Sequence, residues 1–125
     1  IEFDINDAIT ADAVNRFKPD LIIAPFLKRT IAKEIWQQQL CWIVHPGIVG
    51  DRGPSSLDWA LLNQEQTWGV TILQANEEMD AGDIWATSAF PMRSASKSSV
   101  YRQEVTQAAV EALKQALANY ADPHF

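Results

Sequence analysis

The sequence predicts an α/β fold built on a mostly parallel sheet. Short apolar runs at residues 20–24 and 40–45 are nearly unbroken, as strands covered on both faces require. Stretches of helical period alternate with them, the pattern of strand–helix–strand units. A final segment from 98 to 120 repeats its apolar residues at helical spacing, which predicts one long amphipathic helix.

Taken in chain order, Ile1, Phe3 and Ile5 alternate with acidic residues and predict a short strand. Thr10 is a candidate N-cap for a helix with Ala13, Val14 and Phe17 on one face, which must stop before Pro19. Leu21, Ile22 and Ile23 form the next strand, closed by Pro25. Residues 30–38 place Ile31, Ile35 and Trp36 at helical spacing, and 40–45 form a second buried strand ending at His45. Residues 46–54 hold three glycines and two prolines in nine positions and cannot form a regular element. Ser55 or Ser56 can cap a helix that turns Leu57, Ala60, Leu61 and Trp59 inward and ends near Asn63. Strands follow at 68–73 and 84–87, separated by an acidic loop, and Pro91 closes that segment. In the last helix the apolar stripe is Val105, Ala108, Ala109, Ala112, Leu113, Ala116, Leu117 and Tyr120.

The 125 residues are 47% apolar and 21% charged, enough for one compact domain over residues 1–125 and too few for two. No window approaches the roughly 18 uninterrupted apolar residues of a membrane span, and no signal-peptide layout opens the chain. A soluble, cytoplasmic protein is expected. A formal charge of -6 argues against a nucleic-acid or anionic-membrane surface. Cys41 is the only cysteine, so no intrachain disulfide or multi-cysteine metal site can form, and no metal is expected. Lying at a buried strand, Cys41 is expected to be inert. Trp42, Trp59, Trp68 and Trp85 fall inside predicted elements and are expected in the core.

In open α/β sheets ligands bind at the carboxyl ends of strands, which directs attention to three places. These are Pro25-Phe26-Leu27-Lys28, His45-Pro46-Gly47, and the acidic loop around Asp80. A histidine facing a Gly-rich loop, met by a carboxylate from another loop, supplies a proton-transfer group and its orienting partner. The same residues are also compatible with a backbone-satisfied histidine and a turn-capping aspartate.

Four separated pieces then fall in a recognisable order. They are His45-Pro46 with a Gly-rich loop ending Arg52-Gly53, residues 56–63 (SLDWALLN), residues 69–74 (GVTILQ) and residues 79–84 (MDAGDI). Together they resemble the formyltransferases that use 10-formyltetrahydrofolate, over about residues 19–86. The loop reads Gly-Asp-Arg-Gly-Pro where the general family has a Pro-Arg-Tyr-Arg-Gly type, and with residues 24–28 (APFLK) it is most similar to the formyltransferase-like domain of nickel–iron hydrogenase maturation factors.

This resemblance implies a three-layer Rossmann-like sheet lacking its first strand and helix, so that the chain is a partial formyltransferase-like domain open to self-association. It also implies a downstream crotonase-like domain in the full-length protein. His45 and Asp80 take the catalytic positions, His45 donating to the formyl oxygen and Asp80 orienting the imidazole and relaying a proton. Phe26, Leu27 and Lys28 form one wall of the folate site and Asn76, Glu77, Glu78 and Met79 the other. Gly47, Arg52 and Ser55 are placed toward the acceptor; equally, Arg52 can pair with Asp51 or Asp58 and the serines can cap a helix. One position departs from the family: the asparagine two residues before the histidine, a second oxyanion donor, is Ile43 here. Losing such a donor costs about 2.7–4 kcal/mol of transition-state stabilisation.

The implied reaction is formyl transfer from 10-formyltetrahydrofolate to a thiol such as coenzyme A, toward the carbon monoxide ligand of the hydrogenase centre. Two other readings stand beside it. One is an amino-group formyltransferase acting on methionyl-tRNA or a sugar, against which the acidic charge and Ile43 count. The other is a non-catalytic folate-binding or protein-interaction module.

Overall fold

A computed structural model describes residues 8–27, 30–53 and 55–125. The strand expected at 1–5 lies outside the described residues. Helix α1 (Ala8–Phe17) is followed by strand β1 (Ile22–Pro25), helix α2 (Lys33–Trp36) and strand β2 (Cys41–His45). After a long loop come helix α3 (Ser56–Leu62) and strands β3 (Thr67–Gln74) and β4 (Ile84–Pro91). One continuous helical run closes the chain: α4 (Lys97–Val100), a π-helical segment (Tyr101–Val105) and α5 (Thr106–Ala121).

The four strands form one sheet in the order β1-β2-β3-β4. β1 and β2 are parallel, with Ile22 opposite Cys41 and Pro25 opposite Val44. The β2–β3 and β3–β4 pairs are antiparallel, so the described sheet is mixed rather than mostly parallel. The cause is the connection after β2. Helix α3 has seven residues and rises only about 10 Å. It returns the chain to the end of the sheet where β2 stopped, and His45 faces Thr71 there. The 75–83 loop then joins β3 to β4 as a wide hairpin.

Apolar clusters cover both faces of the sheet, giving the expected three layers. On one face Trp42, Val44, Val70, Ile72 and Ala86 pack against Val105, Ala108, Ala109, Ala112 and Ala116. Alanines on the facing stripe let α5 lie close to the large strand side chains. On the other face Ala24, Cys41 and Ile43 meet Ile31 and Ile35, with Ala11 and Val14 of α1 against them. All five residues of β2 are buried, which explains its unbroken apolar run.

Several expectations need correction. β1 is not covered on both faces: among the described residues it has a neighbour on one side only, and Ile23 is 42% exposed. Thr10 is buried within α1 rather than capping it, and Phe17 lies outside at 82% exposure, because the inward stripe runs through Thr10, Ala11 and Val14. Residues 30–38 yield only the single turn of α2, since Ala32 is extended (ψ 138°). Trp59 is 62% exposed; it shares the outer side of α3 with Leu62, three residues on, while Leu57 and Ala60 face the core. Ser55 precedes α3 in a left-handed conformation (φ 66°) and makes no side-chain cap. Ser56 instead donates to the Gly53 carbonyl.

Trp42 is fully buried and packs on Trp85 and Tyr120, at ring separations of 5.2 and 6.0 Å. Its Nε1 has no hydrogen-bond partner among the described residues. Trp42→Ala is therefore expected to cost about 3–5 kcal/mol in urea denaturation. Trp42→Phe should cost distinctly less, because it also removes an unsatisfied donor. A second prediction concerns Cys41, which is 1% exposed and whose thiol burial pushes up from 9.0 to about 11. The folded chain keeps this proton where the unfolded chain releases it. This contribution to stability is intact below pH 9.0 and lost by roughly 2–3 kcal/mol as pH rises to about 11. Denaturation series of wild type and Cys41→Ala should diverge over that interval; parallel curves would refute the assignment.

Candidate active site

The last residue of β2 delivers a histidine to the sheet's end, and two loops close over it. His45 is 3% exposed. Its Nε2 is hydrogen-bonded to Asp51 Oδ2 at 2.8 Å, and its Nδ1 lies 3.3 Å from Asp80 Oδ2. The two carboxylates differ in access: the Asp80 side chain is 3% exposed and that of Asp51 26%.

The loop after β2 is anchored at its root by side chains of β3. Thr71 Oγ1 donates to the Gly47 carbonyl at 2.8 Å, and Trp68 Nε1 donates to the Pro46 carbonyl at 2.9 Å. Gly47 has a packing reason to be glycine. A Cβ there would stand 2.5 Å from both His45 Nε2 and Asp51 Oδ2, too close for either to stay. Gly50 and Gly53 have φ of +93° and +90°, a left-handed backbone that glycine adopts without strain. Between them the amide of Asp51 donates to the Ile48 carbonyl, closing the turn that swings Asp51 back over the histidine.

The far end of this loop is clasped to the 75–83 loop. Gly53 N–H donates to Asp80 Oδ2 at 2.9 Å, and Arg52 Nε donates to the Met79 carbonyl at 3.1 Å. An exposed ion pair of 3.5 Å joins Arg52 to Glu78. Asp80 itself is left-handed (φ 53°), a conformation that a short acidic side chain tolerates better than most. The neck of its loop is closed by the Gln74 amide donating to the Asp83 carbonyl, and a Cβ at Gly82 would run into the Gln74 carbonyl oxygen.

A cavity of about 110 Å³ opens beside His45, lined by Phe26, Leu27, Pro46, Gly53, Ser55, Asp58, Lys97 and Tyr101. The Phe26 amide donates to the Val44 carbonyl, and its ring meets Tyr101 edge-on at 5.6 Å. Lys97 pairs with Asp58 at 2.8 Å and sits 5.9 Å above the Tyr101 ring. The hydrogen bond that Lys97 donates to Asp58 holds its ammonium above the usual range, and burial pushes the Tyr101 phenol up.

Phe26, Leu27, His45 and Ser55 line this cavity, whereas Asp80 and Gly47 adjoin the imidazole without lining it. Asn76, Glu77, Glu78 and Met79 do not line the cavity; Asn76 Oδ1 accepts from the Glu78 amide, Glu77 is exposed, and Glu78 and Met79 engage Arg52. Lys28 lies outside the described residues. Arg52 pairs with neither Asp51 nor Asp58, because its guanidinium is drawn across to the second loop. Ile43, two residues before His45, points to the same face of the sheet and is packed there in the apolar cluster with Ala24, Cys41, Ile31 and Ile35. Sequence reasoning missed Asp51, Asp58, Lys97 and Tyr101. An acid within the Gly-rich loop was the one available signal for Asp51.

The arrangement offers a buried imidazole, carboxylates at both of its nitrogens and an adjoining partly apolar cavity. Chemically, that suits donation to a developing oxyanion together with proton transfer. A family model described as formyl transferase matches residues 4–117. The chain is 52% identical over 118 residues to the hydrogenase maturation factor HoxX of Bradyrhizobium diazoefficiens, covering 94% of this chain and 21% of that protein. Methionyl-tRNA formyltransferase of Anaplasma marginale is 32% identical over 88 residues, 66% of this chain and 29% of the enzyme. Among solved structures, HypX of Aquifex aeolicus in complex with tetrahydrofolic acid superposes with a TM-score of 0.88 at 54% identity, over 92% of this chain and 20% of that one. The chain therefore spans about a fifth of the length of its HoxX and HypX relatives. By the extent of the family match and the agreement of fold, the chain belongs to the formyl transferase family.

Proposed function

We propose that this chain is the folate-binding, formyl-transferring part of a nickel–iron hydrogenase maturation protein. It takes the formyl group of 10-formyltetrahydrofolate and passes it to a thiol, with coenzyme A as the acceptor, toward the carbon monoxide ligand of the metal centre. The observation that carries this reading is His45: buried at a strand end, bracketed by carboxylates and opening on a cavity. Support comes from the likeness to a chain solved with tetrahydrofolic acid.

In this reading the pterin approaches along Phe26 and Leu27, and the formyl carbonyl points at the imidazole. Attack on the formyl carbon moves charge to its oxygen, and an N–H of His45 stabilises that charge. Asp80, buried 3.3 Å from Nδ1, fixes the orientation of the ring. With Ile43 packed in the core, His45 is the donor on which the oxyanion depends. The same substitution weighs against an amino-group transferase of the methionyl-tRNA type.

His45→Ala is expected to lower formyl transfer by about 100- to 1000-fold. Asp80→Asn should lower it by at least 10-fold, with both variants still folded by circular dichroism. Calorimetric titration with 5-formyltetrahydrofolate should give saturable binding to wild type and weaker binding to the Asp80 variant. Turnover unchanged in His45→Ala would sink the assignment.

A further inference from the structure

We propose that Asp51 is a further catalytic residue of this site. It caps His45 Nε2 while no formyl donor is bound, and becomes the base for the incoming nucleophile once the formyl oxygen takes its place. This deepens the formyl-transfer reading and rests on it.

Three observations carry the inference. First, both ring nitrogens of one buried imidazole face carboxylate oxygens, at 2.8 Å and 3.3 Å. Of the two, the contact to Asp51 is the hydrogen bond, so Asp51 occupies the nitrogen that would otherwise donate to a formyl oxygen. Secondly, the carboxylates are not equivalent. Asp80 is sealed in and tied to the Gly53 amide, whereas the Asp51 side chain is 26% exposed. Asp51, the more accessible of the two, is placed to release the imidazole and pass a proton outward. Thirdly, the backbone around Asp51 is built for the contact. Gly47 leaves just enough room, since a Cβ would strike both partners, and Gly50 and Gly53 allow the left-handed turns on either side of Asp51.

The step balances as follows. The acceptor X–H, a thiol or an amine, attacks the formyl carbon and the C–X bond forms. The carbonyl π pair moves to oxygen, which accepts the Nε2–H vacated by Asp51, and the X–H proton passes to the Asp51 carboxylate. On collapse the oxygen pair re-forms C=O, the bond from carbon to the folate nitrogen breaks, and that nitrogen takes the proton from Asp51. Formylated acceptor and tetrahydrofolate result, and nothing is oxidised or reduced.

The test uses Asp51→Asn and Asp51→Ala in three measurements. In ligand-free protein, the hydrogen-bonded Nε2 proton of His45 should appear by NMR in wild type and be lost in Asp51→Ala. By calorimetry, 5-formyltetrahydrofolate should bind Asp51→Ala as tightly as wild type or tighter, because the cap is gone. With 10-formyltetrahydrofolate and coenzyme A, both variants should lose about 100-fold or more in kcat without a rise in the KM for the folate. A merely structural role would instead raise KM and weaken binding. Transfer by Asp51→Asn within threefold of wild type would overturn the role of Asp51 and leave formyl transfer standing. An Nε2 signal unchanged in Asp51→Ala would overturn the contact itself. Wild-type protein that neither binds the folate nor transfers formyl would overturn both readings together.

Discussion

A histidine side chain removed from water must find partners for both ring nitrogens within the protein, and satisfying His45 organises two loops. The 46–54 loop supplies Asp51 to one nitrogen and the 75–83 loop supplies Asp80 to the other. The loops are then fastened to each other by Gly53 and Arg52, so neither carboxylate is positioned independently. The cost of burying Asp80 beside the imidazole is offset by this arrangement, because its Oδ2 accepts the Gly53 N–H and faces the ring nitrogen.

The sheet serves that requirement. β2 is parallel to β1 and antiparallel to β3, so its carboxyl end is flanked by the carboxyl end of one neighbour and a mid-strand stretch of the other. Phe26 follows β1 into the cavity wall, while Thr71 and Trp68 of β3 reach across to hold the carbonyls of Gly47 and Pro46. Reversing β3 is what brings those two donors to the loop root. A sheet of uniformly parallel strands would present loop backbone there instead of strand side chains.

Much of this architecture was legible in the residues. The unbroken apolar run of β2 marked a strand buried on both faces, and the alanine stripe at 108, 109, 112 and 116 marked the helix that covers it. The direction of β3 was not legible, because strand orientation depends on how far α3 carries the chain and not on strand composition. Trp59 shows a similar limit: an aromatic residue inside a short helix says nothing of which side the core occupies. At the site, His45, Asp80 and the two loops could be singled out, whereas Asp51 could not. Its approach to the imidazole arises from a turn through two left-handed glycines, which sequence spacing does not encode.

The closing helix carries a consequence of its own. Val100 and Val105 are both fully buried in the same cluster, yet in an unbroken α-helix residues five apart point about 140° away from each other. The π-helical segment between them absorbs the surplus, and the Thr106 hydroxyl bonds back to the Tyr101 carbonyl across the widened turn. The helix is thus two rods of different phase joined end to end. The leading rod keeps Val100 in the core while it turns Lys97 and Tyr101 to the cavity, and the trailing rod follows the sheet. Any change of helix length by one residue upstream of Thr106 would force a choice between lining the cavity and sealing the core.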